Sequence, residues 1–320
     1  MIWLGLPVLL LLALLGRECW QILRAQAPAQ VRELLVGAAA PRAAADIPKV
    51  LWTYWHPAPA PAFIQQCLAN WRHHAPDHEL RLLDRQSLLQ WIPASALRPD
   101  FDSLPPYRQA DWLRVQLLAR HGGIWLDAST LLTRDLAWLH EARAAAQAEY
   151  AGFYIQRYSS RAELPIVENW CMAAVPRSAF VRDLAAAFDH ALDLGAEAYL
   201  DELRAQGRLA RVVQDLTPDF QRYLLMHVAA SDLLDRAHQA SPQIYRLALL
   251  RAEDSAFAYL DALRWRKRHL YARLALTPCP RRLPALIKLR GGDRQVLERG
   301  LAKGRWLRGS AIARLLDLRA

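Results

Sequence analysis

The chain is poor in cysteine: Cys19, Cys67, Cys171 and Cys279 are the only four in 320 residues, and none forms a CxxC pair. That argues against a disulfide framework and fits a reducing compartment. Also missing are a GxxxxGK[ST] phosphate loop, a GxGxxG turn and an HExxH helix, so the usual nucleotide, dinucleotide and zinc-peptidase fingerprints do not apply. His73 and His74 have no partners at metal-ligand spacing. No internal repeat is visible, and no basic residue precedes the first apolar run.

Charge of one sign is missing from one region. Residues 261–320 hold 16 Lys and Arg against 4 Asp and Glu, while the rest holds 25 against 27. The net charge of +10 is therefore a carboxyl-terminal property. It argues against a nucleic-acid groove across the main domain and favours a tail that meets phosphates or an anionic membrane surface.

What is present begins with the apolar run Ile2–Leu15, followed by Arg17 and Glu18. Fourteen residues are short for a full span, although Trp20, Ile22 and Leu23 extend the apolar face. A cleaved signal with a site at Ala25-Gln26-Ala27 and a buried helix are the rival readings. The expected reading is an anchor over 1–24, with Arg17, Arg24 and Arg32 keeping the main domain on the cytoplasmic side. Residues 25–46, rich in Ala, Gln, Pro and Arg, read as a linker.

From residue 47 the pattern alternates. A strand over 47–55 precedes a helix over 63–73, then a strand at 80–83, a short helix at 87–92, a helix through 108–121 and a strand at 124–126. This βα order implies an α/β fold with a parallel sheet covered by helices. Further strands are expected at 130–132, 150–155 and 166–174. Helices are expected at 137–148, 180–193 and 196–206, and from Thr217-Pro218 through His227. The expected organisation is a main domain at 47–260 and a basic region at 261–320 that completes or covers its ligand site.

The residues that carry chemistry lie at the centre. Asp111 and Arg114 share a helix face, with Arg108 one turn back. Gly122 suits a left-handed cap and Gly123 a tight turn. Ile124, Trp125 and Leu126 then deliver Asp127 to the carboxyl end of a strand, the edge where ligands sit in open α/β sheets. The plain alternatives are a turn aspartate for Asp127 and a surface ion pair for Asp111 and Arg114. Against them, the helix is apolar nearly all round, so its charges line a cleft. Two carboxylates facing a guanidinium suit a hydroxylated, phosphate-bearing ligand held with a metal. Ser129 adds a weaker oxygen, which leaves a diphosphate to supply the others to Mg²⁺ or Mn²⁺. Trp52, Tyr54 and Trp55 close the first strand; a Trp there packs in the core or stacks on a base. The run from Lys288 to Arg294 sets Gly291 and Gly292 among cations, so backbone N–H groups can approach phosphate.

These residues resemble the capsular polysaccharide synthesis proteins, related to glycosyltransferases with a DXD sugar-binding motif. The match lies in Ile47-Pro48-Lys49-Val50 with Trp52 and Trp55, in Asp111-Trp112-Leu113-Arg114, and in Gly122-Gly123-Ile124-Trp125-Leu126-Asp127-Ala128-Ser129. Fainter echoes are Glu168-Asn169-Trp170, Tyr223 with His227, and Lys288 through Arg294. Coverage is roughly residues 47–294. The resemblance implies a GT-A type, Rossmann-like domain that transfers a sugar from a nucleotide-sugar donor to a glycan or lipid-linked glycan acceptor, typically with retention at the anomeric carbon. It implies Trp55 stacking on the base, Asp111 and Arg114 holding hydroxyls and the diphosphate side, and Asp127 meeting a divalent metal. Trp52, Asn169, His227, Lys288 and Arg294 would join the donor contacts. The third DXD position is Ser129, a departure that keeps a non-catalytic scaffold with a retained nucleotide-sugar site as the alternative. Nucleic-acid binding through the tail is the weakest reading.

Overall fold

A computed structural model describes residues 5–37, 46–240 and 245–318; the first residues of the apolar run and most of the second half of the expected linker lie outside them. The chain divides into two compact units. The larger comprises Val31–Ala128 and Asp135–Ala252; the smaller comprises Met1–Gln30, Ser129–Arg134 and Glu253–Ala320.

The larger unit is built on a seven-stranded sheet in the order β1-β8-β6-β7-β4-β2-β3. Its strands are β1 (Glu33–Val36), β2 (Val50–Tyr54), β3 (Glu79–Leu83), β4 (Gly123–Leu126), β6 (Tyr150–Ile155), β7 (Ile166–Ala174) and β8 (Leu247–Arg251), while β5 (Thr130–Leu132) belongs to the smaller unit. The pairs β3–β2, β2–β4 and β6–β8 are parallel; β4–β7, β7–β6 and β8–β1 are antiparallel. Five strands thus share one direction, and β7 and β1 oppose them. The parallel sheet expected from the βα alternation holds for the pairs β3–β2, β2–β4 and β6–β8 and is interrupted at β7. The chain returns from β6 to β7 through residues 156–165, with no covering helix longer than the 3₁₀ turn Gln156–Tyr158, and a short return of that kind can only place an antiparallel neighbour. The expected linker is corrected as well: Leu34 to Val36 pair with Leu249 to Leu247 and form the sheet edge.

The helices Pro106–His121 and Ala179–Leu194 pack beside one another and bury Trp112, Phe180 and Phe188 completely or nearly so. Trp112 Nε1 donates to Asp189 at 2.7 Å, so even the indole N–H in this core is satisfied. Gly122 and Gly123 form the tight turn after the first of these helices, with φ of 64° and 95°. A Cβ on Gly123 would sit 2.9 Å from Trp52 Nε1 and from the Val50 carbonyl oxygen. The glycines are what lets helix and strand approach this closely. The helix expected to run from Pro218 through His227 is broken at Leu224 into Pro218–Tyr223 and Leu225–Ala240.

The smaller unit contains the two-stranded sheet β5–β9, with β9 at Leu286–Lys288, and the helix Gly5–Arg24. The expectation of a membrane anchor, and with it of a cytoplasmic-facing domain on a membrane, is overturned: among the described residues no helix is long and apolar enough to cross a membrane. The reason lies in the carboxyl half of the helix. Glu18 pairs with Arg266 at 2.6 Å and with His269, and Ala25 and Ala27 beyond it are buried. The anionic-surface reading of the basic region loses support for a similar reason. Arg290 makes a forked pair with Asp293, and Arg294 pairs with Glu298 at 2.8 Å, so several of its cations are neutralised inside the chain.

Candidate active site

In the larger unit, the carboxyl ends of β3, β2 and β4 lie side by side. Leu83 pairs with Tyr54 and Trp52 with Trp125, so Asp84, Trp55 and Asp127 all emerge at one edge of the sheet. Opposing β7 brings Asn169 to the same level: the Asp127 N–H donates to the Trp170 carbonyl at 2.8 Å.

Arg114 is the hub. Its Nη1 donates to the Asn169 carbonyl at 2.6 Å and its Nη2 to Asp127 Oδ1 at 3.1 Å. The same Nη2 is 3.2 Å from Asp111 Oδ1, and the guanidinium lies over the Trp125 ring. Asp111 is also held by Arg108, at 3.4 Å, and by Asn169 Nδ2, at 3.1 Å. Trp125 Nε1 gives a second hydrogen bond to Asp127 Oδ1 at 3.0 Å. Arg114 is 4% exposed at the side chain and Asp127 26%, so the guanidinium is buried while the second carboxylate reaches solvent. Burial pushes the Asp111 carboxyl up, against the pull of Arg114, Arg108 and His227. A carboxylate so enclosed is held for more than surface pairing.

Two residues that the sequence marked only faintly complete the cluster. Glu168 Oε2 lies 3.4 Å from His227 Nε2, both buried, and His227 Nδ1 has no hydrogen-bond partner among the described residues. A buried polar nitrogen in that state calls for a water or ligand atom. Tyr223, whose ring is tilted against that of Tyr107 with centroids 5.4 Å apart, has its hydroxyl pKa raised by burial and then by the charges of Asp111 and Asp127. Arg108 ties its helix to the neighbouring one through the Arg222 carbonyl.

The two tryptophans separate. Trp52 is 1% exposed; its Nε1 donates to the Gly122 carbonyl, and it packs against Trp91 and His121. It is a core residue, which corrects its expected place among the donor contacts. Trp55 lines a cleft of about 470 Å³ together with Gln65, Arg72 and Asp84. The difference follows from position: Trp52 lies within β2, whereas Trp55 follows its last residue, Tyr54.

Ser129, Lys288 and Arg294 belong to the smaller unit. There Ser129 Oγ donates to the Leu289 carbonyl at 2.9 Å, Thr130 pairs with Lys288 across β5–β9, and Lys288 is buried. The expected glycine loop is instead a strand, a turn and the start of the helix Gly291–Ala302. Among the described residues no three His, Cys, Asp or Glu side chains converge as a metal site. Asp127 is a single carboxylate whose Oδ1 already accepts from Arg114 and Trp125. The donor set fits a cation only where a ligand brings further oxygens.

A buried guanidinium thus stands between two carboxylates at the carboxyl edge of the sheet, the edge where ligands sit in open α/β folds. Residues 38–190 match the family model described as capsular polysaccharide synthesis protein. The O-glycosyltransferase braB of Annulohypoxylon truncatum is 28% identical over 151 residues, 42% of this chain and 35% of that protein. The chain therefore spans about a third of that curated relative. A solved structure titled PaToxG Glycosyltransferase aligns over 81% of this chain and 87% of its own at 12% identity, with a TM-score of 0.32, too low to equate the two folds. Over residues 38–190 the chain is thus similar to the capsular polysaccharide synthesis proteins, the family that its central motifs resemble.

Proposed function

We propose that the chain is a GT-A type glycosyltransferase that moves a sugar from a nucleotide-sugar donor to a polysaccharide or glycolipid acceptor in surface-glycan synthesis. The observation that carries this reading is the Asp111–Arg114–Asp127 cluster, assembled from a helix and a strand end and backed by Asn169. In this reading the nucleobase stacks on Trp55 in its cleft. Asp111 accepts hydrogen bonds from donor hydroxyls, and Arg114 compensates the charge that develops on the departing diphosphate. His227 Nδ1, left without a partner, meets a ligand oxygen or a water. A divalent cation, Mn²⁺ or Mg²⁺, would arrive with the diphosphate and meet the protein at Asp127, where it would supply Lewis-acid help to the leaving group.

The test is a screen of nucleotide-sugar donors for hydrolysis or transfer, followed by Asp127→Ala. That substitution should lower turnover about a hundredfold, the equivalent of about 3 kcal/mol, with an unchanged circular dichroism spectrum. Unchanged turnover would refute the assignment. The anomeric configuration of the product, read by NMR, tests the retention that the family resemblance implies. The second reading is a scaffold that binds donor without turning it over, and it draws support from Ser129 at the third motif position. Calorimetry that shows donor binding, with no hydrolysis and no transfer to any acceptor with or without Mn²⁺, would favour it.

A further inference from the structure

The smaller unit contains a cleft of about 670 Å³ that the donor reading does not use, walled by Leu23, Arg24 and Gln26 from the amino-terminal segment and by Arg273 and Pro278 to Arg282 from the carboxyl-terminal one. Four arginines are among its lining residues, Arg24, Arg273, Arg281 and Arg282, with Arg273 buried beneath the others, and no acidic residue lines it. The imbalance runs through the sequence: between Asp261 and Asp293 there are nine lysines and arginines and no acidic residue. Of the unit's carboxylates, Glu18 is engaged with Arg266 and Asp293 with Arg290.

The arginines of the cleft have only neutral partners. Arg273 is 2% exposed, and its donors go to the Ala25 carbonyl at 2.8 Å, Thr277 Oγ1 at 2.8 Å and the Pro278 carbonyl at 3.0 Å. Arg282 reaches the Ala27 carbonyl at 3.5 Å, and Arg24 lies over the Trp20 ring at 5.5 Å. Arg281 is exposed and makes no hydrogen bond or ion pair to any described residue. The backbone that presents these groups is stiff: Pro278 and Pro280 fix their φ angles, and the Cys279 N–H is pinned to the Gly309 carbonyl at 2.8 Å. A concave, preorganised set of guanidiniums without counter-charge concentrates anions, and the planar fork of arginine matches a phosphoryl group.

We propose that this cleft binds a diphosphate-bearing ligand, separately from the donor cluster. All of its lining residues lie in the smaller unit, whereas the Asp111–Arg114–Asp127 cluster lies in the larger one, so the proposal stands or falls independently of the transferase reading. The diphosphate has two possible sources. A soluble diphosphate would use the arginines alone. A lipid-borne one would also use Leu23 at the wall and the exposed apolar row from Val8 to Leu15 on the same helix.

The experiment is titration calorimetry on the full chain in 0.15 M sodium chloride, with inorganic pyrophosphate as one probe and farnesyl diphosphate in detergent, with farnesol as control, as the other. Saturable pyrophosphate binding is expected, weakened at least tenfold by Arg281→Glu with Arg282→Glu and largely kept by Arg281→Lys with Arg282→Lys. Tighter binding of farnesyl diphosphate than of pyrophosphate identifies the lipid source; equal or weaker binding identifies the soluble one. No saturable binding of either probe, or equal binding by the charge-reversed variant, overturns the proposal. Should the charge-reversed double variant fail to fold by circular dichroism, the exposed single substitution Arg281→Gln replaces it and should weaken pyrophosphate severalfold; unchanged affinity there overturns it equally.

Discussion

Removing the guanidinium at the hub should reveal how much of the site's order rests on one side chain. Arg114→Met keeps the length and apolar stem but deletes every hydrogen bond to Asn169, Asp111 and Asp127. Asp111, 8% exposed, would be left with the longer contact to Arg108 and the amide of Asn169. Breaking a buried pair from one side costs about 3–5 kcal/mol because a charge remains without compensation. We expect about 3 kcal/mol here, since those two contacts persist. The pH dependence has a definite sign. Burial already holds the Asp111 pKa above its ordinary value in the folded state. A raised carboxyl favours folding below the ordinary carboxylate range and loses that contribution as pH rises through the raised value. Taking away Arg114 raises it further, so the destabilisation by Arg114→Met should be smaller at pH 5 than at pH 8. Urea unfolding of both proteins at the two pH values reads this directly. The double variant with Asp111→Asn should recover part of the loss. A penalty below about 1 kcal/mol, or one equal at both pH values, would refute the reasoning that Asp111 depends on Arg114 for its charge.

Other outcomes follow from the same geometry. Trp55→Ala should weaken donor binding about tenfold, about 1.4 kcal/mol within the range for base stacking, without loss of fold. Trp52→Ala should instead cost about 3–5 kcal/mol of stability in urea titrations, as befits a core side chain. Gly123→Ala places a methyl within 2.9 Å of Trp52 Nε1 at a φ of 95°; we expect about 2 kcal/mol or more of destabilisation from strain and overpacking. Burial pushes the Asp235 carboxyl up, but the hydrogen bonds from Arg161 and Arg211 outweigh it and leave the pKa lowered. Its contribution is present above the ordinary carboxylate range and lost as pH falls through the lowered value. Asp235→Asn should therefore flatten the acid limb of a stability-against-pH profile.

The helix Pro106–His121 and the strand β4 were legible because their signals are local. An apolar helix with a row of charges, two glycines and a run of strand formers leave little choice about where Asp127 emerges. The direction of β7 was not legible, since the side-chain pattern of a buried strand is the same whichever way it runs. Nor was the role of residues 33–36, whose four residues become a strand only through β8, more than two hundred residues later. The pairing of Glu168 with His227 spans 59 residues, and only the fold brings the two together. The apolar start of the chain misled because a charge such as Glu18 reads as a flank in sequence, while its partners Arg266 and His269 sit near the other end.

The interlacing of the chain has a consequence for how it can be cut. Residues 129–134 leave the larger unit to form β5, whose partner β9 comes from the far carboxyl end. A protein shortened at residue 252 would keep Leu131 and Leu132, both fully buried, on a strand stripped of its ladder with β9. Such an orphaned apolar edge invites self-association. The larger unit is therefore not a continuous piece of chain, and a truncation meant to isolate it would also have to remove residues 129–134.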